Sequence, residues 1–578
     1  MSASSPSCAP SWPNPDSNPS ASTQALLPAD FNLAAALGQL AATAPFRPAL
    51  IYPAGRAALG PSRRGRYCQW NYRQLDALCD RYARGLGAKG VGPGDRALVL
   101  LRPGIDLLAT LFALFKVGAV PALVDPGMGR RAFLQCVAET EPTVLVAIPT
   151  VHVLRRAFPG AFRTLKRALT ARDLASAGAV GDPVLPAPGE ADAEAAVFFT
   201  SGSTGIPKGV VYSRRMMAAQ VNALRRPMAL GQGEIHLAVF YAFALFNPAL
   251  GATTVVPDMD PRRPAAVDPA LLVEAIDTFG VTLSMGSPTV WRRVADYCLA
   301  HGVRLPSLTK LMLFGAPIYP DLVADLKGVL GETGRVYTPY GATEALPVTQ
   351  VDDATLGATA EGTWRGGGGC VGRPVGEVEV RVIRPQKGII ASIGATETTT
   401  LGEPGEIIVR GPAVSRAYLH RPAQTKEAKI AADGDGGAPL WHRMGDIGYF
   451  DDDGRLWFCG RHSHGVVTSQ GNLWPVCCEA IFNRHPEVLR TALVGVGDVP
   501  RQRPAIVVEP KNRRLTAKAR QSLAEDLKTL GQANPGTADI DTFLFYPGSF
   551  PVDVRHNAKI RRDILAQWAA QQSARGEG

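Results

Sequence analysis

The sequence contains no C-x-x-C pair and no collagen-type glycine repeat, and each absence excludes a class of protein. The cysteines number nine in 578 residues and are scattered, so neither a disulfide framework nor a zinc ribbon is indicated. Glycine (60) and proline (47) are frequent but follow no G-x-y period, which excludes collagen and predicts many turns. The cysteine pattern favours reduced thiols, and we expect a cytoplasmic protein.

An uninterrupted apolar run of membrane-spanning length is also missing. The most apolar window, Leu107–Val124, is broken by Lys116, Gly118 and Pro121, so it predicts a buried helix followed by a strand. Residues 1–30 are rich in Ser, Pro, Ala and Asn and lack the basic and apolar regions of a secretory signal. We expect a disordered leader over 1–30 and a soluble protein with no transmembrane segment.

Charge is sparse and dispersed along the chain. Charged residues make up 19% of the sequence and apolar residues 46%, which is typical of a globular protein. The net charge of +10 suits anionic small molecules as well as nucleic acids. The densest basic stretches, Ser62–Arg66 and Arg555–Arg562, lie far apart and carry no interleaved aromatic residues. A groove that stacks bases would need such residues, and we predict no nucleic-acid partner.

Helical stretches alternate with short apolar runs from about residue 31, which predicts an α/β fold with mixed or parallel sheets and helices on their faces. Tyr72–Lys89 and Pro269–Phe279 are predicted helices, and Arg96–Leu101 is a predicted strand. After about Gly369 the pattern changes to short strands separated by turns, which indicates a β subdomain.

The predicted division of the chain has two domains. A large N-terminal domain covers 31–460, a hinge covers 461–464, and a small, mobile α+β domain covers 465–578. The small domain is expected to contain a helix over Pro475–Asn483.

The most informative run is Val197–Val211, VFFTSGSTGIPKGVV, a hydrophobic strand that opens into hydroxyl residues and glycines. Such a loop predicts an anion site, because its backbone N–H groups converge on phosphate oxygens and Lys208 neutralises them. It is not a Walker loop, since Pro207 interrupts the required spacing and Gly209 follows the lysine. The string is too specific for an ordinary flexible surface loop.

This string closely resembles the phosphate motif of the acyl-adenylate-forming superfamily, which contains acyl-CoA synthetases, luciferases and the adenylation domains of peptide synthetases. The resemblance covers about residues 31–570. The further motifs follow in the family's order: Phe314–Pro317 (FGAP), Tyr340–Glu344 (YGATE), Gly405–Ile407 (GEI), Trp441–Asp446 (WHRMGD), Gly460–Arg461 (GR) and Asn557–Ile560 (NAKI). The resemblance implies that a carboxylic acid and ATP react to give an acyl-adenylate and pyrophosphate.

The resemblance also implies which residues bind ATP and Mg²⁺. Glu344 would bind Mg²⁺, which prefers oxygen ligands, with Thr343 near the α-phosphate. Asp446 would accept hydrogen bonds from the ribose hydroxyls, and Arg461 would reach the ribose or a phosphate. Lys559 would stabilise the transferring carboxylate and α-phosphate as pyrophosphate leaves. The remaining ATP-binding residues implied by the resemblance are Thr200, Ser201, Gly202, Ser203, Thr204, Gly205 and Lys208 at the phosphates, and Gly315, Ala316, Pro317, Tyr340 and Gly341 around the adenine.

The hinge departs from the pattern of thioester-forming members of the superfamily. Those enzymes typically have Asp or Lys where this chain has Ser463, and the Lys and Ser that usually follow are replaced by Val467 and Gln470. The next helix keeps only Glu479 of its usual acids. These departures argue against the conformation that accepts CoA.

The acyl-binding side resembles the β-lactone synthetases of bacterial long-chain olefin biosynthesis, on the evidence of Leu237–Thr254 and Arg555–Ile560. That resemblance implies that a long-chain 2-alkyl-3-hydroxyalkanoic acid is adenylated and that its own β-hydroxyl displaces AMP, without CoA. The run Phe240–Leu250 is either an alkyl channel or plain core by its periodicity. Asn247 and His236 are candidates to hydrogen-bond the hydroxyl.

Three alternatives remain open from the sequence. The chain could be a long-chain fatty acyl-CoA synthetase, an acyl-AMP ligase that charges a carrier protein, or a silent acyl- or nucleotide-binding protein. The intact acidic and basic motif residues argue against the silent protein. An assembly with other olefin-pathway enzymes is implied by the resemblance alone.

Overall fold

The computed structural model describes residues 26–54, 67–179, 181–200, 207–261, 263–432, 440–552 and 559–574. Most of the predicted leader therefore lies outside the described residues. Leu27, near its end, exchanges hydrogen bonds of 3.0 and 3.1 Å with the side chain of Asn222. Within the described ranges, none of the helices is both long and apolar enough to cross a membrane.

The helices and strands follow one another in alternation over most of the chain. The helices are α1 (Leu33–Thr43), α2 (Tyr72–Ala88), α3 (Ile105–Val117), α4 (Arg130–Thr140), α5 (Pro149–Ala157), α6 (Ala171–Ala177), α7 (Arg214–Arg225), α8 (Asn247–Leu250), α9 (Pro269–Phe279), α10 (Pro288–His301), α11 (Pro320–Val329), α12 (Asp353–Gly362), α13 (Pro422–Ala428), α14 (Pro475–Asn483), α15 (Ala517–Gln532) and α16 (Arg562–Ala574). The strands are β1 (Pro48–Pro53), β2 (Tyr67–Asn71), β3 (Arg96–Leu100), β4 (Val120–Leu123), β5 (Val144–Ala147), β6 (Arg167–Leu169), β7 (Glu194–Phe199), β8 (Gly209–Ser213), β9 (Ile235–Leu237), β10 (Thr253–Val255), β11 (Leu283–Gly286), β12 (Lys310–Leu313), β13 (Arg335–Ala342), β14 (Ala345–Asp352), β15 (Gly369–Pro374), β16 (Glu379–Ile383), β17 (Gly405–Arg410), β18 (Lys429–Ile430), β19 (Trp441–Phe450), β20 (Leu456–Arg461), β21 (Val466–Thr468), β22 (Gly471–Leu473), β23 (Val488–Val496), β24 (Arg503–Pro510) and β25 (Thr542–Phe545).

Two sheets form the body of the molecule and confirm the predicted α/β class. The first has the order β6-β5-β3-β4-β7-β8 and is parallel except at β8. The second runs from β2 through β13 to β16. One part of this sheet is parallel, with the neighbouring strands in the order β1-β10-β9-β11-β12-β13. The other part is antiparallel, as expected for the β subdomain, with the neighbouring strands in the order β14-β15-β20-β19-β17-β16.

Local sequence accounts for several element boundaries. The Asn71 and Gln74 side chains form a capping box at the start of α2, and each satisfies a backbone N–H group of the first turn. Asp268 caps α9, and Gly280 ends it in the left-handed conformation at φ +59°. The apolar window predicted as a buried helix and a strand forms α3 and β4, which confirms that prediction.

The C-terminal residues have a sheet of their own, in the order β23-β24-β25. A buried ion pair of 2.6 Å between Glu479 of α14 and Arg562 of α16 holds this unit together. Helix α14 also lies against β20, where a Cβ on Gly460 would approach Pro475 Cδ to 3.0 Å. The unit thereby packs directly on the end of β20, and Lys559 stands just before α16.

Candidate active site

The base of the predicted phosphate loop is closed by backbone hydrogen bonds. Thr200 follows β7 and Lys208 precedes β8, and Thr200 N donates to Lys208 O over 3.0 Å. Lys208 N in turn donates to Thr200 Oγ1 over 3.2 Å. The ammonium of Lys208 lies 4.7 Å from the ring centre of Tyr418. The other predicted phosphate-binding residues, Ser201, Gly202, Ser203, Thr204 and Gly205, lie outside the described residues.

Thr343 and Glu344 form the two-residue turn between β13 and β14, and neighbouring segments fix this turn at three points. Tyr212 Oη donates to Thr343 O over 2.7 Å. Ser415 N donates to Glu344 O over 2.7 Å, and Tyr418 Oη donates to Glu344 Oε1 over 2.7 Å. The carboxylate of Glu344 is thereby held beside the base of the phosphate loop.

Tyr340 near the end of β13 contacts Asp446 of β19 in the interior. Tyr340 Oη donates to Asp446 Oδ2 over 2.6 Å, and both side chains are buried. Gly315 follows β12 with φ +97°, a backbone conformation that favours glycine. At Gly341 a Cβ would lie 2.6 Å from Ala345 O, so only glycine fits this close turn. Ala316 and Pro317 follow in the same loop beyond β12.

Asp446 and Arg461 are direct partners in the β19–β20 ladder. Arg461 Nε lies 3.1 Å from Asp446 Oδ1, and its guanidinium donates to Met444 O over 2.8 Å. Burial raises the pKa of Asp446, and the positive charges of Arg461 and Lys559 oppose that shift. Asp446 Oδ1 is buried, yet it accepts no hydrogen bond from the described residues. A buried carboxylate oxygen that contacts Arg461 as an ion pair but accepts no hydrogen bond from the rest of the described chain can accept one from a ligand.

Lys559 belongs to the C-terminal unit and lies within electrostatic reach of Asp446. The bridge between Val552 and Ile560 holds the chain next to it. The structure therefore brings together Lys559, Asp446, Arg461 and Glu344, which are more than 200 residues apart at the extremes of the sequence.

Sequence reasoning missed a buried Lys429–His442 pair beside Glu344. The two residues face each other across β18 and β19. Lys429 Nζ donates to Ser415 O and, over 3.3 Å, to Ser415 Oγ. Burial lowers the pKa of Lys429 to about 7, an effect that the charge of Glu344 opposes. Burial also lowers the pKa of His442 well below its usual value, and Lys429 adds to that shift. The sequence signal that could have revealed this pair is a charged residue within a pattern that predicts a buried strand.

An apolar cavity adjoins the loops at the ends of β12 and β13. It has about 10 Å³ of space for a water-sized sphere, roughly one water molecule. The residues that line it are Gln220, Leu224, Phe243, Phe246, Met312, Phe314, Pro339, Leu346 and Pro347. Phe314 and Pro339 directly precede Gly315 and Tyr340 in the chain, so the cavity begins next to residues that were predicted to bind the nucleotide.

The run Phe240–Leu250 contributes both to this cavity and to the core. Phe243 and Phe246 line the cavity, whereas Leu250 is fully packed. Asn247 and His236 hydrogen-bond each other instead, with His236 Nδ1 2.9 Å from Asn247 Oδ1. Both are buried and are absent from the cavity lining.

Known proteins resemble this chain over most of its length. It matches the family described as AMP-binding enzyme over residues 39–419. An olefin β-lactone synthetase of Xanthomonas campestris pv. campestris is 44% identical over 559 residues, with 94% of this chain and 98% of that protein covered. An olefin β-lactone synthetase of Stenotrophomonas maltophilia is 44% identical over 550 residues, with 93% and 98% covered. The solved structure of the amide bond synthetase McbA from Marinactinospora thermotolerans superimposes with a TM-score of 0.75 at 22% identity, covering 94% of this chain and 100% of McbA. These matches confirm the predicted resemblance and fold.

Proposed function

Because this chain belongs to the AMP-binding enzyme family, we propose that it adenylates a long-chain 2-alkyl-3-hydroxyalkanoic acid with ATP and closes the acyl-adenylate to a β-lactone. The observation that carries the proposal is the contact between the polar part and the apolar part of the site. The polar cluster around Asp446 continues, through Tyr340 and Pro339, into a cavity lined almost entirely by apolar side chains. The two olefin β-lactone synthetases at 44% identity support the choice of product.

The described residues fit ATP and Mg²⁺. Asp446 Oδ1 has capacity for a donor, and the ribose hydroxyls supply donors. Glu344 Oε1 accepts from Tyr418, which leaves its second oxygen for a cation. Mg²⁺ is commonly bound by one or two carboxylates together with substrate phosphates. When bound, Mg²⁺ would neutralise phosphate charge and favour departure of pyrophosphate.

In the first step a carboxylate oxygen of the acid attacks the α-phosphorus, and the bond from that phosphorus to pyrophosphate breaks. Negative charge on the transferring group grows as this happens. Lys559, which lies within electrostatic reach of Asp446, would stabilise that charge. The positive charge of Arg461 opposes the rise in the pKa of Asp446 that burial causes, and this favours the ionised carboxylate that would bind the ribose.

In the second step the β-hydroxyl oxygen attacks the acyl carbon. The new carbon–oxygen bond closes the four-membered ring, the acyl–phosphate bond breaks, and AMP leaves with the bonding electrons. The hydroxyl proton passes to the departing phosphate or to water. Because the nucleophile is tethered to the carbonyl it attacks, no second substrate has to be bound. The altered hinge around Ser463 agrees with a reaction that needs no CoA.

The cellular setting of the reaction follows from the same proposal. A product of this kind would pass to other olefin-pathway enzymes, and an assembly with them is part of the proposal. The described cysteines are all unpaired, which supports a reducing, cytoplasmic location.

The test is product analysis with Mg-ATP. A long-chain 2-alkyl-3-hydroxy acid and a plain long-chain fatty acid are each incubated with and without CoA, and AMP, lactone and thioester are quantified. We expect AMP and β-lactone in equal amounts from the hydroxy acid, whether or not CoA is present. A CoA-dependent thioester from the plain acid would instead establish an acyl-CoA synthetase, and ATP binding without any AMP would indicate a silent binding protein.

A further inference from the structure

One side chain in the lining of the apolar cavity is out of keeping with the rest. Gln220, on α7, is the only hydrogen-bonding side chain among the described lining residues. It is 3% exposed, and its Nε2 is buried without a hydrogen-bond partner among the described residues. Leu224 lies one helical turn further on the same face and lines the same cavity. The unpaired amide therefore faces a cavity where an apolar residue would pack without cost.

A buried amide nitrogen without a hydrogen-bond partner among the described residues, such as Gln220 Nε2, is costly, because the desolvation of its N–H groups is not offset by a bond to the protein. Leucine or methionine at position 220 would fill a similar volume and would also suit the helix. Folding alone therefore does not account for a glutamine here. A ligand with a polar group inside the cavity does account for it, because that group would supply the missing partner.

The place of the amide limits which ligand group it can meet. The cavity starts at Phe314 and Pro339, directly beside Gly315 and Tyr340 of the nucleotide site. An acid whose carboxyl group reacts at the nucleotide site would extend its alkyl part into the cavity, and its first chain carbons would then lie nearest those residues. In a 2-alkyl-3-hydroxy acid the only polar group beyond the carboxyl is the hydroxyl on carbon 3.

We propose that the Gln220 amide hydrogen-bonds the 3-hydroxyl of the substrate and thereby makes the cavity selective for 3-hydroxy acids. Nε2 donates to the hydroxyl oxygen, which has two lone pairs and keeps the second for attack on the acyl carbon. A site that pairs a buried donor with a substrate hydroxyl rejects the analogue without it, because the donor is then left unpaired. This inference rests on the proposed function for the identity of the acid.

The experiment compares two acids in two enzymes. Acid-dependent exchange of pyrophosphate into ATP measures adenylation alone, so it does not depend on lactone formation. The acids are a long-chain 2-alkyl-3-hydroxy acid and the matching 2-alkyl acid without the hydroxyl. The variant is Gln220→Met, which keeps length and volume and removes the amide.

We expect the unaltered enzyme to favour the hydroxy acid in kcat/KM. In Gln220→Met, kcat/KM for the hydroxy acid should fall about tenfold while that for the deoxy acid stays or rises, so the preference disappears. The melting temperature should be equal or higher, because an unpaired amide has been removed. Leu224→Met, on the same helix face, is the matched control and should change both acids by the same factor.

Two results would overturn the inference: no preference for the hydroxy acid in the unaltered enzyme, or the same preference in Gln220→Met. Failure of the proposed function is a different result. In that case the unaltered enzyme forms no lactone from the hydroxy acid, yet Gln220→Met still loses its discrimination between the two acids.

Discussion

The proposed nucleotide half and the proposed acyl half of the site are built in opposite ways. In the nucleotide half, short hydrogen bonds fix each functional group, such as the 2.6 Å contact from Tyr340 to Asp446 and the 2.7 Å contact from Tyr418 to Glu344. In the acyl half, aromatic rings make the wall, with Phe243 and Phe314 5.0 Å apart between ring centres, and Gln220 has the one amide among the described lining residues. Charge stabilisation needs fixed polar partners, whereas chain binding needs shape. Substitutions in the two halves should therefore fail in different ways.

The largest effect is expected at Lys559. In Lys559→Ala the charge that stabilises the transferring group is lost, and adenylation measured by pyrophosphate exchange should fall by roughly 100- to 1,000-fold. Binding of ATP should persist, since Asp446, Arg461 and Glu344 remain. Lys518→Ala, an exposed lysine on α15, is the matched control and should keep full exchange. Normal turnover of Lys559→Ala would remove this lysine from the mechanism.

A smaller loss is expected at Lys429. Its ammonium donates to Ser415, and Ser415 N donates to Glu344 O over 2.7 Å, so Lys429 supports the turn that carries the acidic ligand. Lys429→Met should weaken Mg-ATP binding by roughly ten- to a hundredfold, the usual worth of a hydrogen bond from a charged donor.

The same variant should not lose stability, because the buried charge that is costly to desolvate has been removed. Equilibrium binding of Mg-ATP and a thermal melt test the two expectations. Lys426→Met, an exposed lysine on the neighbouring α13, serves as the control. Unchanged Mg-ATP affinity in Lys429→Met would make this residue purely structural.

The two halves also differ in how far the sequence could predict them. Helices α9 and α14 begin and end at the predicted residues, because a proline at the first helical position and helical periodicity are local signals. The candidate nucleotide residues were predicted from motifs, since the chemistry of nucleotide binding demands particular residue types. The pairing of Lys429 with His442 was missed, because it depends on strands that meet only in the folded sheet.

Gln220 could not be identified from the sequence for a related reason. A glutamine on an amphipathic helix is usually exposed, and nothing local indicates that this one faces a cavity formed with Phe246 and Pro347. The conformation of the turn at Thr343 and Glu344 is of the same kind, since Tyr212 and Ser415 fix it from distant parts of the chain. Long-range packing decided each of these features.

An intermediate effect on substrate choice is expected at Phe246. Phe246→Trp enlarges a side chain in the wall of a cavity that has room for only about one water molecule. We expect kcat/KM for long 2-alkyl groups to fall about tenfold relative to short ones, and overpacking to cost about 1–3 kcal/mol of stability. A series of acids of different chain length, with ATP held constant, tests the expectation. Equal losses for all chain lengths would place Phe246 in the core rather than in the chain-binding wall.

The smallest effect is expected at the buried His236, and it concerns the pH dependence of the free energy of unfolding rather than the reaction. Burial lowers the pKa of His236 to about 4, while its hydrogen bond to Asn247 and the charge of Glu234 oppose that shift. Between about pH 6.5 and 4 the unfolded chain therefore binds a proton that the folded chain does not. The stability associated with the neutral ring is fully present above pH 6.5 and falls as the pH falls towards 4.

His236→Asn keeps a donor for Asn247 Oδ1 and removes the titration. Relative to the variant, the unaltered protein should lose about 2 kcal/mol of stability between pH 7 and pH 5, as measured by denaturant unfolding at each pH. His301→Asn, at an exposed histidine, is the matched control. Because His236 contacts Asn247 and not the cavity, lactone formation by His236→Asn at pH 7 should stay within about twofold of the unaltered rate. A selective loss of the second step in this variant would instead mean that His236 reaches the hydroxyl, and the acyl half would then contain a fixed polar group of the kind that distinguishes the nucleotide half.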